Sequence, residues 1–416
     1  MKKYFINIYK FVSNSFYLKL LYLLVSLSFV TIIFNIPIFK VLNKICIIWV
    51  VLLCIINFID IIRKKRKIYI FNIFLYLFLA VTLFFTVYKY PTAENYKVWI
   101  MNVIIFTVIF SIDNYKDKQD LINEIDIYSY FYVIFSFIAS IISLILIFLK
   151  YNIEFNIINS DGVEEIISFV GIYKNENSLG IAAALSLIIG IYLLSKSNNK
   201  KLNIFLIFNS ITQTLTLFLS GGRSGFLAVI SVAFIFIFVY SKNIIIRALM
   251  IIIPIVSIFF IFKLDAKTLH YIFTGREYIW IAAIRIIKFS FFSGIGTSNT
   301  IPTLIQNQPA DLIGVTKGGI HNIYMEITTT NGFIATFMLL LFISCIIIYG
   351  VYKISKMNNK DKITYCILLG LLLGIPLINL MESNLVYIIS FISLIYWFYA
   401  GHFIAILSNN NNIFNK

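Results

Sequence analysis

The feature that most constrains this chain is a succession of about twelve apolar stretches. Most are close to the roughly 20 residues that a helix needs to cross a bilayer. They run over residues 16–36, 39–62, 68–88, 96–112, 126–149, 178–195, 202–220, 225–241, 244–263, 322–350, 363–383 and 385–407. Within lipid, a backbone satisfies its own hydrogen bonds only as a helix or a closed barrel. Apolar runs of this length select the helix. Of the 416 residues, 60% are hydrophobic and only 12% are charged, where a soluble domain is about a quarter charged. That is too little charge to cover a water-facing surface. A soluble enzyme, a disulfide-stapled secreted domain and a disordered chain are excluded. The expectation is an all-α polytopic membrane protein with about 12 transmembrane helices, residues 1–416 forming a single integral membrane domain.

The net charge is +16. In a soluble protein that would suggest nucleic acid. Here the charges lie in short runs between apolar stretches, so the bilayer is the expected partner and no nucleic acid is. Lys and Arg favour cytoplasmic loops. Most of them, including the cluster Arg63–Lys67, fall inside if both termini are cytoplasmic. The cysteines Cys46, Cys54, Cys345 and Cys366 all sit in apolar runs without metal-site spacing. They read as small hydrophobes, and no cofactor or metal is expected.

One connection is long, residues 264–321, and this topology puts it outside the membrane. Thr274-Gly275-Arg276-Glu277 has the capping-box form, which predicts a helix starting there. The following segment, 276–292, is apolar with Glu277, Arg285 and Lys288 near one face, as in an amphipathic interfacial helix. Arg285 and Lys288 read as the polar face of that helix. Beyond it lie Gly294-Ile295-Gly296 and a polar stretch with Asn299, Gln306, Asn307 and Gln308.

Several basic residues stand where both the positive-inside bias and the helix dipole disfavour cations, near the outer helix N-termini. They are Lys174, Arg223, Arg276 and His321. An anion resolves the conflict. Helix N-termini bind phosphate through free N–H groups, Arg adds a bidentate clamp, and the Gly221-Gly222 pair would let backbone approach closely. Glu176 can neutralise Lys174. Glu326 and Glu382 are costly in lipid and are expected to pair with basic residues. A helix N-terminus disfavours an imidazolium, which suits His321 to act as a base. His270 and His402 read as structural.

Three segments carry a family resemblance. They are Phe169–Gly180 with its Lys174-Asn175-Glu176-Asn177, Leu217–Gly225 with Ser220-Gly221-Gly222-Arg223, and Gly275-Arg276…Trp280 followed by Gly294-Ile295-Gly296 and His321-Asn322. Together, over about residues 169–350, the chain resembles the O-antigen ligase and polymerase family of bacterial membrane glycosyltransferases. The second glycine before Arg223 departs from the family's pattern. The resemblance implies a C-type glycosyltransferase-like fold in the bacterial cytoplasmic membrane. It implies a metal-independent, inverting transfer of glycan from undecaprenyl pyrophosphate to an acceptor sugar. Arg223 and Arg276 would bind pyrophosphate and His321 would deprotonate or orient the acceptor hydroxyl. Lys174, Asn177, Asn322 and Glu277 are the expected further substrate contacts. The implied partners are the lipid-linked oligosaccharide, the acceptor glycan and other polysaccharide-assembly membrane proteins. A repeat-unit polymerase comes first and a ligase second. A transporter of lipid-linked glycan is the rival from another class, since transporters also hold charged groups within the membrane.

Overall fold

The computed structural model describes residues 2–63, 68–149, 170–261, 263–307, 315 and 319–409. Lys64–Lys67 of the basic cluster and Gln308 lie outside them. The described chain is helical, with no strand and one isolated β-bridge, Thr31 to Tyr173. Helices α1 (Lys2–Ser13) and α2 (Ser15–Phe29) meet at a bend of 56°. Then come α3 (Pro37–Ile62), α4 (Ile70–Thr82), α5 (Ala93–Ile104), α6 (Lys118–Phe148), α7 (Glu176–Lys196), α8 (Lys200–Ser220), α9 (Ser224–Tyr240) and α10 (Ile244–Ile261). The long connection holds α11 (Ala266–Phe273), α12 (Arg276–Ser290) and α13 (Thr297–Asn307). The chain closes with α14 (Ile323–Asn331), α15 (Phe333–Ser355), α16 (Asn359–Ile378) and α17 (Phe391–Asn409).

Eight helices among the described residues are long and apolar enough to cross a membrane. They are α3, α4 with its π-helical continuation to Val87, α6, α7, α8, α15, α16 and α17. The bent α1–α2 pair makes a ninth if it is one span. Of the other expected spans, α9 and α10 are shorter apolar helices, and 96–112 falls on α5 and the π turn that ends at Ile109. The protein is a multi-pass membrane protein.

Burial separates the centre from the rim. The spanning stretch of α17 is 94% buried inside protein, that of α7 72%, and that of α3 only 22%. On α17, the Trp397 ring meets Phe106, Phe110 and Phe342, and its Nε1 donates to Leu385 O at 2.8 Å. Rim helices turn isoleucines outward, as at Ile48, Ile204 and Ile244. In lipid that exposure carries no hydrophobic cost. At the end of the bundle away from the long connection, buried charges close on one another. Lys116 pairs with Glu124 at 2.5 Å, Glu124 meets His402 Nε2 at 3.0 Å, and Lys19 Nζ donates to Ser111 at 2.7 Å. His402, expected to be structural, is buried in this network.

One expected span is broken. Residues 322–350 do not form one helix: α14 ends and α15 begins at Gly332. Gly332 has φ +85° and ψ 166°, a region open essentially to glycine alone. The backbone groups freed by the break find partners in the segment after α12. Phe333 N donates to Phe291 O at 2.7 Å, while Ile295 N and Gly296 N donate to Thr329 O and Thr330 O at 2.9 Å. Irregular backbone within an apolar run is tolerated where protein satisfies it. A Cβ on Gly332 would run into the Phe292 carbonyl, and one on Gly294 into the Thr330 backbone. Gly332→Ala is expected to cost at least about 1–3 kcal/mol in backbone strain alone. A thermal-unfolding series in detergent checks it; an unchanged midpoint would mean that the two segments do not cross this closely.

Candidate functional site

The site is built around the connection from α16 to α17. Asn379 is buried, and its Oδ1 accepts from Asn384 N at 2.7 Å, which shapes the turn. The carbonyls of Asn379 and Glu382 accept from Ile323 N at 3.0 and 3.1 Å, fixing the start of α14. Asn322 caps that start, its Oδ1 accepting from Tyr324 N and Met325 N at 3.1 and 3.0 Å. His321 precedes the cap with φ +52°, a left-handed conformation that bulky residues rarely adopt. The same connection takes Arg276. Its Nη1 donates to Met381 O, and its Nη2 lies 3.3 Å from Glu382 Oε1. Burial raises the Glu382 pKa, and Arg276 opposes that rise.

Arg276 opens α12, whose buried stripe Ile279, Ala282, Ala283, Ile286 follows helical spacing. That stripe packs with Leu304 and Ile320 into a small second core. Trp280 Nε1 donates to Ile320 O at 3.0 Å, so the helix bearing Arg276 also holds the turn bearing His321. Arg285 Nη1 donates to Asn307 O at 2.6 Å, tying α12 to α13. Asn299 and Asn307 spend their amides on backbone carbonyls four residues earlier.

Arg223 stands at the start of α9 and is exposed. Its Nη1 donates to Tyr271 O at 2.7 Å and lies 3.3 Å from Ile272 O. Its guanidinium also lies 4.9 Å from the centre of the Tyr271 ring, a cation–π contact. The glycine pair serves a different purpose from the one expected. Gly222 is buried against α7, where a Cβ would lie 2.9 Å from Glu176 O and 3.0 Å from Gly180 Cα. Only Gly221, at φ +69°, is open. Lys174 is positioned by its backbone, Lys174 N donating to Val30 O at 2.9 Å. Its ammonium lies over the Phe34 ring at 5.0 Å rather than pairing with Glu176, and burial lowers its pKa. Asn175, not Asn177, caps α7. Asn177 is half-buried on the first turn.

The expected capping box does not form. Thr274 ends α11 at φ +54°, and Gly275, at φ +85°, begins α12 without a side-chain cap. Glu277 has a different partner: His270 Nδ1 lies 2.7 Å from its Oε1. The lone histidine read as structural therefore belongs to a dyad. Its partner is seven residues on, across a helix break that the spacing did not reveal.

Contacts thus bring Arg223, Arg276 and His321 to one end of the bundle, linked through α11, α12 and the 379–384 turn. Asn322 and Glu277 belong to the same assembly but are occupied as a cap and as a histidine partner. Lys174 and Asn177 stand at its α7 side. Among the described residues, no group of three His, Cys, Asp or Glu is placed to hold a metal ion.

Residues 204–340 match the family model described as O-Antigen ligase. The match covers Arg223, Arg276, Glu277, His321 and Asn322 but not Lys174 or Asn177. No curated protein matches the chain.

Glu326, on α14, lies under the His321 turn. Its Oε2 is buried without a hydrogen bond, and a Cβ on Gly319 would touch it at 3.3 Å. Ser383 and the Ile320 backbone favour its charged form, but burial outweighs them and its pKa is pushed up to about 7 from 4.5. The native state then holds a proton that the unfolded chain has released, so stability falls as pH rises across that interval. Glu326→Gln removes the loss. The stability of the variant relative to wild type is expected to rise between about pH 5 and pH 8. Parallel pH–stability curves would contradict the buried charge.

Proposed function

We propose that the chain, whose residues 204–340 match the O-antigen ligase family model, is a polysaccharide repeat-unit polymerase. It takes a glycan from undecaprenyl pyrophosphate and joins it to an acceptor sugar at the outer face of the bacterial cytoplasmic membrane, with both termini inside. The observation that supports this best is the pair of arginines. Distant in sequence, they meet the same junction between α11 and α12, one held by the last turn of α11 and the other opening α12.

A polyprenyl pyrophosphate presents its phosphates at headgroup depth. Two permanently charged guanidiniums there stabilise the negative charge that builds on the leaving group. The acceptor hydroxyl attacks the anomeric carbon from the opposite side, so the configuration inverts. The sugar–oxygen bond to phosphate breaks, and its electron pair leaves with the pyrophosphate. His321, on the turn fixed by residues 379–382, accepts or orients the hydroxyl proton. Charge stabilisation is supplied by Arg, so the proposed reaction needs no metal. Other polysaccharide-assembly membrane proteins are the expected neighbours of such an enzyme.

The description of the matching family favours a second reading, a ligase. The chemistry at the donor is the same, and the acceptor is a lipid core or another carrier instead of a growing chain. A polymerase given one defined lipid-linked repeat unit yields a ladder of products; a ligase yields a single transfer to an added acceptor.

Arg223→Ala, Arg276→Ala and His321→Ala are each expected to lower product formation by about 100-fold or more while the protein still inserts. In vitro elongation of a lipid-linked repeat unit, read by gel, measures this. Wild-type chain length in all three variants would sink the assignment.

A further inference from the structure

His270 and Glu277 form a dyad that the mechanism above leaves unused. The carboxylate end is 15% exposed and the imidazole end 56%. The glutamate is thus held within the protein and the ring is presented outward. A carboxylate on Nδ1 fixes the ring's orientation and tautomer, leaving Nε2 as the working atom. Nε2 has no hydrogen-bond partner among the described residues. The left-handed pair Thr274 and Gly275 turns α11 back on α12, which is what lets residues seven apart meet.

The neighbours of the dyad are the two arginines. Tyr271, next to His270, gives its carbonyl to Arg223. Arg276 immediately precedes Glu277 and is held on Met381 and Glu382. The charged and titratable groups facing His270 are Glu277 and Tyr278 from α12, with the Tyr278 ring at 6.0 Å; Arg276 adjoins Glu277 in the chain, and Arg223 from α9 reaches the carbonyl of the neighbouring Tyr271. Lys267 lies on its own helix. An outward imidazole on the junction that both arginines adjoin is suited to an anion.

We propose that His270, oriented by Glu277, is a third and titratable contact to the donor pyrophosphate. Protonated, its Nε2–H donates to a phosphoryl oxygen. Neutral, with the Nδ1 proton kept by Glu277, Nε2 becomes an acceptor and the contact is lost. The proposal rests on the pyrophosphate reading of the site and adds a pH dependence that permanently charged arginines cannot give.

The test is binding of inorganic pyrophosphate to the full-length purified protein by calorimetry, at about pH 6 and pH 8.5, on either side of the usual imidazole range. The ligand's own titration is common to all proteins compared and cancels in their ratios. His270→Gln is expected to bind about tenfold more weakly than wild type at the lower pH, the worth of one charge-assisted hydrogen bond, and equally at the higher pH. His270→Arg is expected to keep tight binding at both. A Gln variant that matches wild type at both pH values, or is weakened equally at both, overturns the role of His270. If Arg223→Ala and Arg276→Ala bind pyrophosphate as wild type does, the pyrophosphate site itself is overturned, and His270 with it.

Discussion

Residues 379–384 are the connection on which the rest of the site depends. Its carbonyls and one carboxylate receive donors from two helices that are otherwise far apart in the chain. Arg276 comes from the start of α12 and Ile323 N from the start of α14. The helices on either side, α16 and α17, are among the most buried in the bundle. A polar group there that lost its partner would cost the full desolvation penalty. The placement of Arg276 and His321 is therefore inherited from the innermost helices, not from the long connection that carries or adjoins them.

The two ends of the bundle handle charge differently. At the far end, lysines meet carboxylates and a histidine, and the network closes on itself. At the site, Arg223 rests on neutral carbonyls and a tyrosine ring, and Arg276 divides its bonds between a carbonyl and a buried carboxylate. Carbonyl dipoles orient a guanidinium but do not cancel its charge. The charge of Arg223 is therefore left without a carboxylate partner among the described residues, and such a charge attracts anions.

Much of the fold was legible because lipid leaves few options. Apolar length marked the helices, and the 3.6-residue period marked the buried stripe of α12. The family segments singled out Arg223, Arg276 and His321, and that contacts bring these three to one end of the bundle accords with their order in the motifs. Other features depend on contacts between distant segments, which spacing does not encode. The break at Gly332 follows from the crossing with 292–296, and a single apolar run gives no sign of it. Thr274-x-x-Glu277 fits a capping box in sequence, yet Glu277 is taken by a histidine outside that window. Gly222 looked like an approach to a ligand and instead admits α7. Asn175 and Asn177 are equally good caps by type, and only the backbone chooses between them.

The carbonyls under Arg223 have a further consequence. They belong to the last turn of α11, where helical carbonyls lack intrahelical donors. The arginine therefore serves as a cap for that helix as well as a cation. Any anion that draws the guanidinium fully to itself uncaps α11, and its affinity is measured against that loss. Occupancy at Arg223 and order at the end of α11 are two faces of one equilibrium.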